Sequence, residues 1–249
     1  MKKVLYKFIR LLRNKELRNY HYGLLNPVDD FHLRYYGRQY GKIKRSRVSD
    51  FFPDIVNITE VQILNYFGFI PGTSIDVNEL IILVSISKLF EVQNIIEIGT
   101  FNGNTALNLA YNLPSCNKIF TVDLPIDFDN NLPHISSNNS NVTDRKKVGF
   151  YFRDSEYNTK IKQVYENSYI MDWSIFKTNF DLIFIDGCHD YKYVKKDSEN
   201  ALKYIKNGGI IVWHDYGQIK GVSDAVDELR SKLPLFSCRG TRLAIGIKE

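Results

Sequence analysis

Residues 180–217, FDLIFIDGCHDYKYVKKDSENALKYIKNGGIIVWHDYG, constrain the fold more than any other stretch of this chain. The apolar run 182–185 reads as a strand buried on both faces of a parallel sheet. Asp186 follows it at once. A helical pattern comes next, with Tyr191, Val194, Ala201, Leu202 and Ile205 on one face. Asn207-Gly208-Gly209 is expected to stop that helix, since glycine accepts the left-handed conformation of a C-cap. A second apolar run, 210–213, ends in His214-Asp215. The unit is strand–helix–strand with an acid after each strand, and in open α/β sheets that edge is where ligands bind. The competing reading is that both acids only cap turns.

A second strand–turn–helix lies upstream, in Asn94-IIEIGTFNGNTALNLA, followed by Lys118-IFTVDLP. Ile95, Ile96 and Ile98 predict a short buried strand, and Glu97-Ile-Gly99-Thr100-Phe-Asn-Gly103 the turn into a helix starting near Thr105. Gly99 and Gly103 would let the backbone approach a ligand, and the helix N-terminus offers free N–H groups. Asp123 ends the next strand, where a carboxylate can accept both hydroxyls of a ribose. These parts in this order predict a nucleoside cofactor. A dinucleotide site usually shows GxGxxG. Here the spacing is Gly-x-x-x-Gly, and Glu97 would repel a pyrophosphate but suit a charged amine, which favours S-adenosylmethionine over NAD.

The rest of the chain adds context. Asp76 and Glu79 make a capping-box pattern ahead of an apolar helix through Phe90. The composition, 44% apolar and 24% charged, is that of a globular protein. No run of 18 uninterrupted apolar residues predicts a transmembrane helix. Cys116, Cys188 and Cys238 have no metal-ligand spacing and suit a reduced, cytoplasmic protein. The net charge of +5 is uneven, because residues 1–48 hold 13 basic side chains against 3 acidic ones and the remainder is mildly acidic. Residues 2–19 form an amphipathic basic pattern, read either as a peripheral anchor on an anionic membrane surface or as a helix packed on protein. Residues 32–47 mix tyrosine with basic groups but carry no RNA-binding motif, so a solvated or dimer-facing arm is expected rather than a nucleic-acid partner. A homo-oligomer stays open. The polar stretch 125–157 is a lid or a disordered segment, with Tyr151, Phe152 and Arg153 as candidates for substrate contact.

Glu97-x-Gly99-x-x-x-Gly103, the strand ending in Asp123, FIDGxHxY and GGxIxxHDY together resemble class I S-adenosylmethionine-dependent methyltransferases. The group most similar includes macrolide- and cephalosporin-pathway O-methyltransferases and shares its core layout with catechol O-methyltransferase. The resemblance covers about residues 76–249 and leaves 1–75 as a basic, mainly helical extension. It implies an α/β, doubly wound, mostly parallel seven-stranded sheet of Rossmann-like type, with the strand formed by 242–247 antiparallel. It also implies that Glu97, Gly99, Thr100 and Gly103 surround the methionine end of the cofactor. Asp123 would hold the ribose, and Asn167-Ser168, just before the expected third strand, would lie beside the adenine.

For chemistry, the resemblance implies methyl transfer to an oxygen of a small molecule or glycan. Asp186 would sit between cofactor, acceptor and metal, and Asp186 and Asp215 would ligate a divalent cation. Tyr216 stands where the catechol enzymes have an asparagine ligand, and His214 where a cephalosporin-pathway relative has an acid. Those departures leave room for a transition metal, with His214 as a ligand, as well as for Mg²⁺. His189 occupies the offset of the catechol enzymes' lysine base and is the candidate general base. An NAD-type oxidoreductase and a non-catalytic, membrane-associated partner that keeps the fold are the rival readings.

Overall fold

The computed structural model describes residues 39–65, 75–125 and 147–249. The amphipathic stretch 2–19, the arm up to residue 38 and the polar segment 126–146 lie outside the described residues.

Eight strands form one sheet in the order β1-β7-β8-β6-β5-β2-β3-β4. They are β1 (Arg45–Ser46), β2 (Asn94–Ile98), β3 (Lys118–Asp123), β4 (Ile161–Tyr165), β5 (Phe180–Ile185), β6 (Ile205–Trp213), β7 (Leu235–Cys238) and β8 (Ala244–Ile247). The four pairings among β2 to β6 are parallel, whereas β8 runs antiparallel to both β6 and β7. The seven-stranded arrangement expected from the sequence is therefore present. It gains an eighth strand, β1, which pairs parallel with β7 and comes from the segment assigned to the extension.

Alternation along the strands accounts for the two layers of helices. Ile95, Leu182, Phe184, Ile210 and Val212 point to one face, where α2 (Val77–Leu89) and α3 (Asn104–Asn112) pack through Leu80, Leu83, Val84, Leu107 and Leu109. Ile96, Ile98, Ile183, Ile185, Ile211 and Trp213 point to the other. That face is covered by α5 (Tyr191–Tyr204) and α6 (Lys220–Asp227) through Val194, Ala201, Val222 and Val226. Period two along strands buried on both sides leaves no polar face, as in other doubly wound sheets. Two one-turn helices, α1 (Val48–Phe51) and α4 (Phe150–Arg153), flank this core.

Three local expectations are corrected. The helix after Asp186 ends at Tyr204, before Asn207: Ile205 is buried, extended and paired with Phe180, so β6 begins there and residues 206–209 form an irregularity within it. The third strand is β4, so Asn167-Ser168 follows it instead of preceding it and lies at its carboxyl end. Phe152 is only 5% exposed, packed into the core beneath Gly103, and is no surface contact for a substrate.

Candidate active site

The carboxyl ends of β2, β5 and β6 are laced together where the strands stop. Gly99 donates to the Val122 carbonyl (2.8 Å), Asp186 to the Ile98 carbonyl (2.8 Å) and His214 to the Ile185 carbonyl (3.0 Å). The residue after each strand is thereby fixed by its neighbour, and the turn and the acids share one edge. The crowding is tight: a Cβ at Gly99 would lie 2.1 Å from the Asp186 carbonyl oxygen, and one at Gly103 would lie 2.5 Å from the Phe152 ring. Both glycines have positive φ, 98° and 81°. Both glycines therefore admit neighbouring protein as well.

The residues expected from the sequence to meet a cofactor assemble around this turn. The Asp123 carboxylate accepts from the Thr100 and Phe101 amides through Oδ2 (3.1 and 3.0 Å) and from Leu124 through Oδ1 (2.8 Å). It pins the turn between β2 and α3. The Thr100 hydroxyl points inward, 2.7 Å from that of Thr121, and Gln163 donates to it. The Thr100 side chain is therefore committed to the protein interior. Glu97 is 1% exposed and accepts from the Thr121 hydroxyl at 2.5 Å. Burial pushes its carboxyl up to about 8; the Thr121 hydrogen bond opposes the shift, and Asp186 and Asp123 add to it. A buried carboxyl in that state fits a ligand that brings an ammonium group. Ser168 lies by Asp197, whose buried carboxyl is itself pushed up to about 7 by desolvation.

The strand-end acids and His189 meet across β5 and β6. His189 Nε2 lies 2.9 Å from Asp215 Oδ2, and one donor atom each of Asp186, His189 and Asp215 lie within 4.8 Å of one another. Two carboxylates and an imidazole so placed fit a divalent cation. Burial works against the charged form of His189, but Asp215 outweighs it and raises the imidazole above its ordinary value. His214 is different. Its Nδ1 faces Asp186 Oδ1 (2.8 Å) and its Nε2 faces Glu79 Oε2 (2.9 Å). Despite full burial, Asp186, Asp215 and Glu79 hold it well above the usual histidine range, and both ring nitrogens face carboxylates in this arrangement.

Glu79 and Arg242 complete the network, and neither was singled out as a site residue from the sequence. Arg242 reaches Glu79 Oε2 through Nη2 (2.6 Å) and Asp215 Oδ1 through Nη1 (3.2 Å). Glu79 thus stands behind both strand-end acids, behind Asp186 through His214 and behind Asp215 through Arg242. Burial alone would raise the Glu79 carboxyl, but His214 and Arg242 hold it far below the usual range. Asp215 is likewise held well below its ordinary value, against burial, by His214 and His189. The signal in the sequence was slight: Glu79 serves its capping box, accepting from the Asp76 amide at 3.0 Å, and that role alone was legible.

Residues 96–216 match the family described as methyltransferase domain. A caffeoyl-CoA O-methyltransferase of Populus kitakamiensis is 29% identical over 167 residues, 65% of each chain, so the match spans just under two thirds of that relative. Among solved structures, the O-methyltransferase TomG of Streptomyces achromogenes, involved in tomaymycin synthesis and solved with S-adenosylmethionine, has a similar fold. Its TM-score is 0.51 at 13% identity, covering 83% of this chain and 92% of that one. The O-methyltransferase NovP also has a TM-score of 0.51, at 14% identity over 66% of this chain and 76% of its own. The family match takes in the glycine turn and both acid-ended strands, so residues 96–216 of this chain are similar to that methyltransferase domain, on a sheet of this order.

Proposed function

We propose that this chain transfers the methyl group of S-adenosylmethionine to a hydroxyl oxygen of a small molecule or glycan. The observation that carries the reading is the packing of the Gly99 turn on the Asp186 carbonyl, which sets the nucleoside-type turn against the acid-ended strands. The cofactor supplies an electrophilic methyl carbon on a sulfonium. Glu97 meets its amine, Asp123 its ribose, and the Ser168 end of β4 its adenine. On the acceptor side, Asp215 Oδ2 holds the proton of His189 Nε2, which leaves the lone pair on Nδ1 to take the acceptor's proton. His214 and Arg242, both anchored on Glu79, keep the two carboxylates in place so that the acceptor is met by a fixed geometry. Asp186 and Asp215 are the residues that would hold a divalent cation, which would lower the acceptor hydroxyl's pKa.

A screen of hydroxyl-bearing acceptors with labelled methyl groups tests this reading, run with wild type and His189→Ala. The variant should lose about 10²–10⁴ in turnover, the usual contribution of a general base. Its affinity for S-adenosylhomocysteine should stay unchanged. Full turnover in His189→Ala would remove the base from the account, and activity that survives a chelator would remove the metal.

A further inference from the structure

Asp215 is held in the left-handed region, φ 57°, where residues other than glycine are uncommon. Its carboxylate serves both His189 and Arg242, so its backbone must be kept in that state by something else. The next residue supplies the restraint. Tyr216 is fully buried, its amide donates to the Arg242 carbonyl (2.9 Å), and its hydroxyl donates to Asp227 Oδ1 (2.7 Å) while accepting from the Ile43 amide (2.8 Å).

Ile43 belongs to a strap, residues 40–46, that runs across this loop from outside the family match. The Tyr40 amide donates to the Gly217 carbonyl at 2.8 Å, and the Lys42 amide to both Asp227 oxygens at 3.0 Å. The Arg45 guanidinium lies 5.6 Å from the Tyr216 ring centroid and reaches the Tyr216 and Thr241 carbonyls. Gly41 crosses so closely, at φ 85°, that a Cβ there would stand 2.2 Å from the Tyr216 hydroxyl. The strap is then tied to the sheet through β1, with Arg45 opposite Ser237 and Ser46 opposite Cys238.

We infer that Tyr216, clasped by residues 40–46, is a positioning residue that sets Asp215 for the reaction centre, so that a segment outside the matched domain is part of the acceptor side. This rests on the methyltransfer reading for its catalytic consequence but not for its structural one. The test uses the full chain with Gly41→Ala, which drives a methyl group into the clasp, and Tyr216→Phe, which removes its hydroxyl. Amide hydrogen exchange at residues 214–219 should quicken by up to about tenfold, the effect of one lost hydrogen bond, while exchange at 99–105 stays unchanged. S-adenosylhomocysteine should bind both variants as it binds wild type. Turnover should fall in either variant but should fall no further when the same change is made in Asp215→Asn, since coupled residues fail to add. Unchanged exchange at 214–219, or an equal rise throughout the domain, would overturn the inference. So would a full additional loss in the Asp215→Asn background. Should wild type transfer no methyl group, the functional reading would fall while the exchange data still decide the clasp.

Discussion

Glu97 shows how much a single buried residue can report. With its carboxyl raised to about 8 by burial, the folded protein carries it neutral at pH 7, whereas the unfolded chain ionises it near 4.5. The sign follows: between those values the folded state binds the extra proton, so this group's contribution to stability is lost as pH rises towards 8. An ammonium arriving beside Glu97 favours the ionised form, so cofactor binding at pH 7 should expel a proton. Calorimetry of S-adenosylmethionine binding in two buffers of different ionisation enthalpy should show release of up to about one proton at pH 7, fading above pH 8. No release at pH 7 would mean that Glu97 does not face the amine. Glu97, Asp123, Asp186 and Asp215 were legible in the sequence because each sits at a strand end marked by apolar residues. Glu79 and Arg242 were not, because they find each other across 163 residues and no local pattern encodes such a pair.

At the scale of elements, the strands were readable wherever they are buried on both faces, since β5 and β6 each carry a run of four apolar residues and β2 is interrupted only by Glu97. Helix ends were less so. Asn207-Gly208-Gly209 has every mark of a helix stop, yet the pairing of Ile205 with Phe180 begins the strand earlier. Tertiary pairing overrode local preference there. The turn between β2 and α3 was read correctly as a turn, but the reason for its glycines was visible only with the neighbouring strand in place. Gly99→Ala must displace either the turn or the Asp186 carbonyl, an overpacking that costs about 1–3 kcal/mol. The midpoint of thermal unfolding should fall by about 2–12 °C, and cofactor affinity should fall with it. Gly208→Ala makes the contrast, because its positive φ is shared but nothing lies within 4 Å of the added methyl. It should keep cofactor affinity; equal binding losses at the two positions would show that conformation, not contact, dictates the glycine at 99.

Taken as one molecule, the chain divides by charge more sharply than by contact. The basic balance lies in residues 1–48. Yet Ile43 and Phe52 are buried in the core, and β1 extends the sheet. Two residues of strand are too few for a period to show, which is why the sequence suggested only an appended arm. What the whole fold achieves is to bring Glu97 and Asp123 from one half of the sheet to the same edge as Asp186, His189 and Asp215 from the other. The central claim is that this edge holds S-adenosylmethionine, and a calorimetric titration of wild type and Asp123→Ala tests it most directly. Wild type should bind one equivalent. Asp123→Ala should bind about ten- to a hundredfold more weakly, as expected for hydrogen bonds to a charged group. Absence of binding to wild type, or equal affinity in the two proteins, would contradict the account.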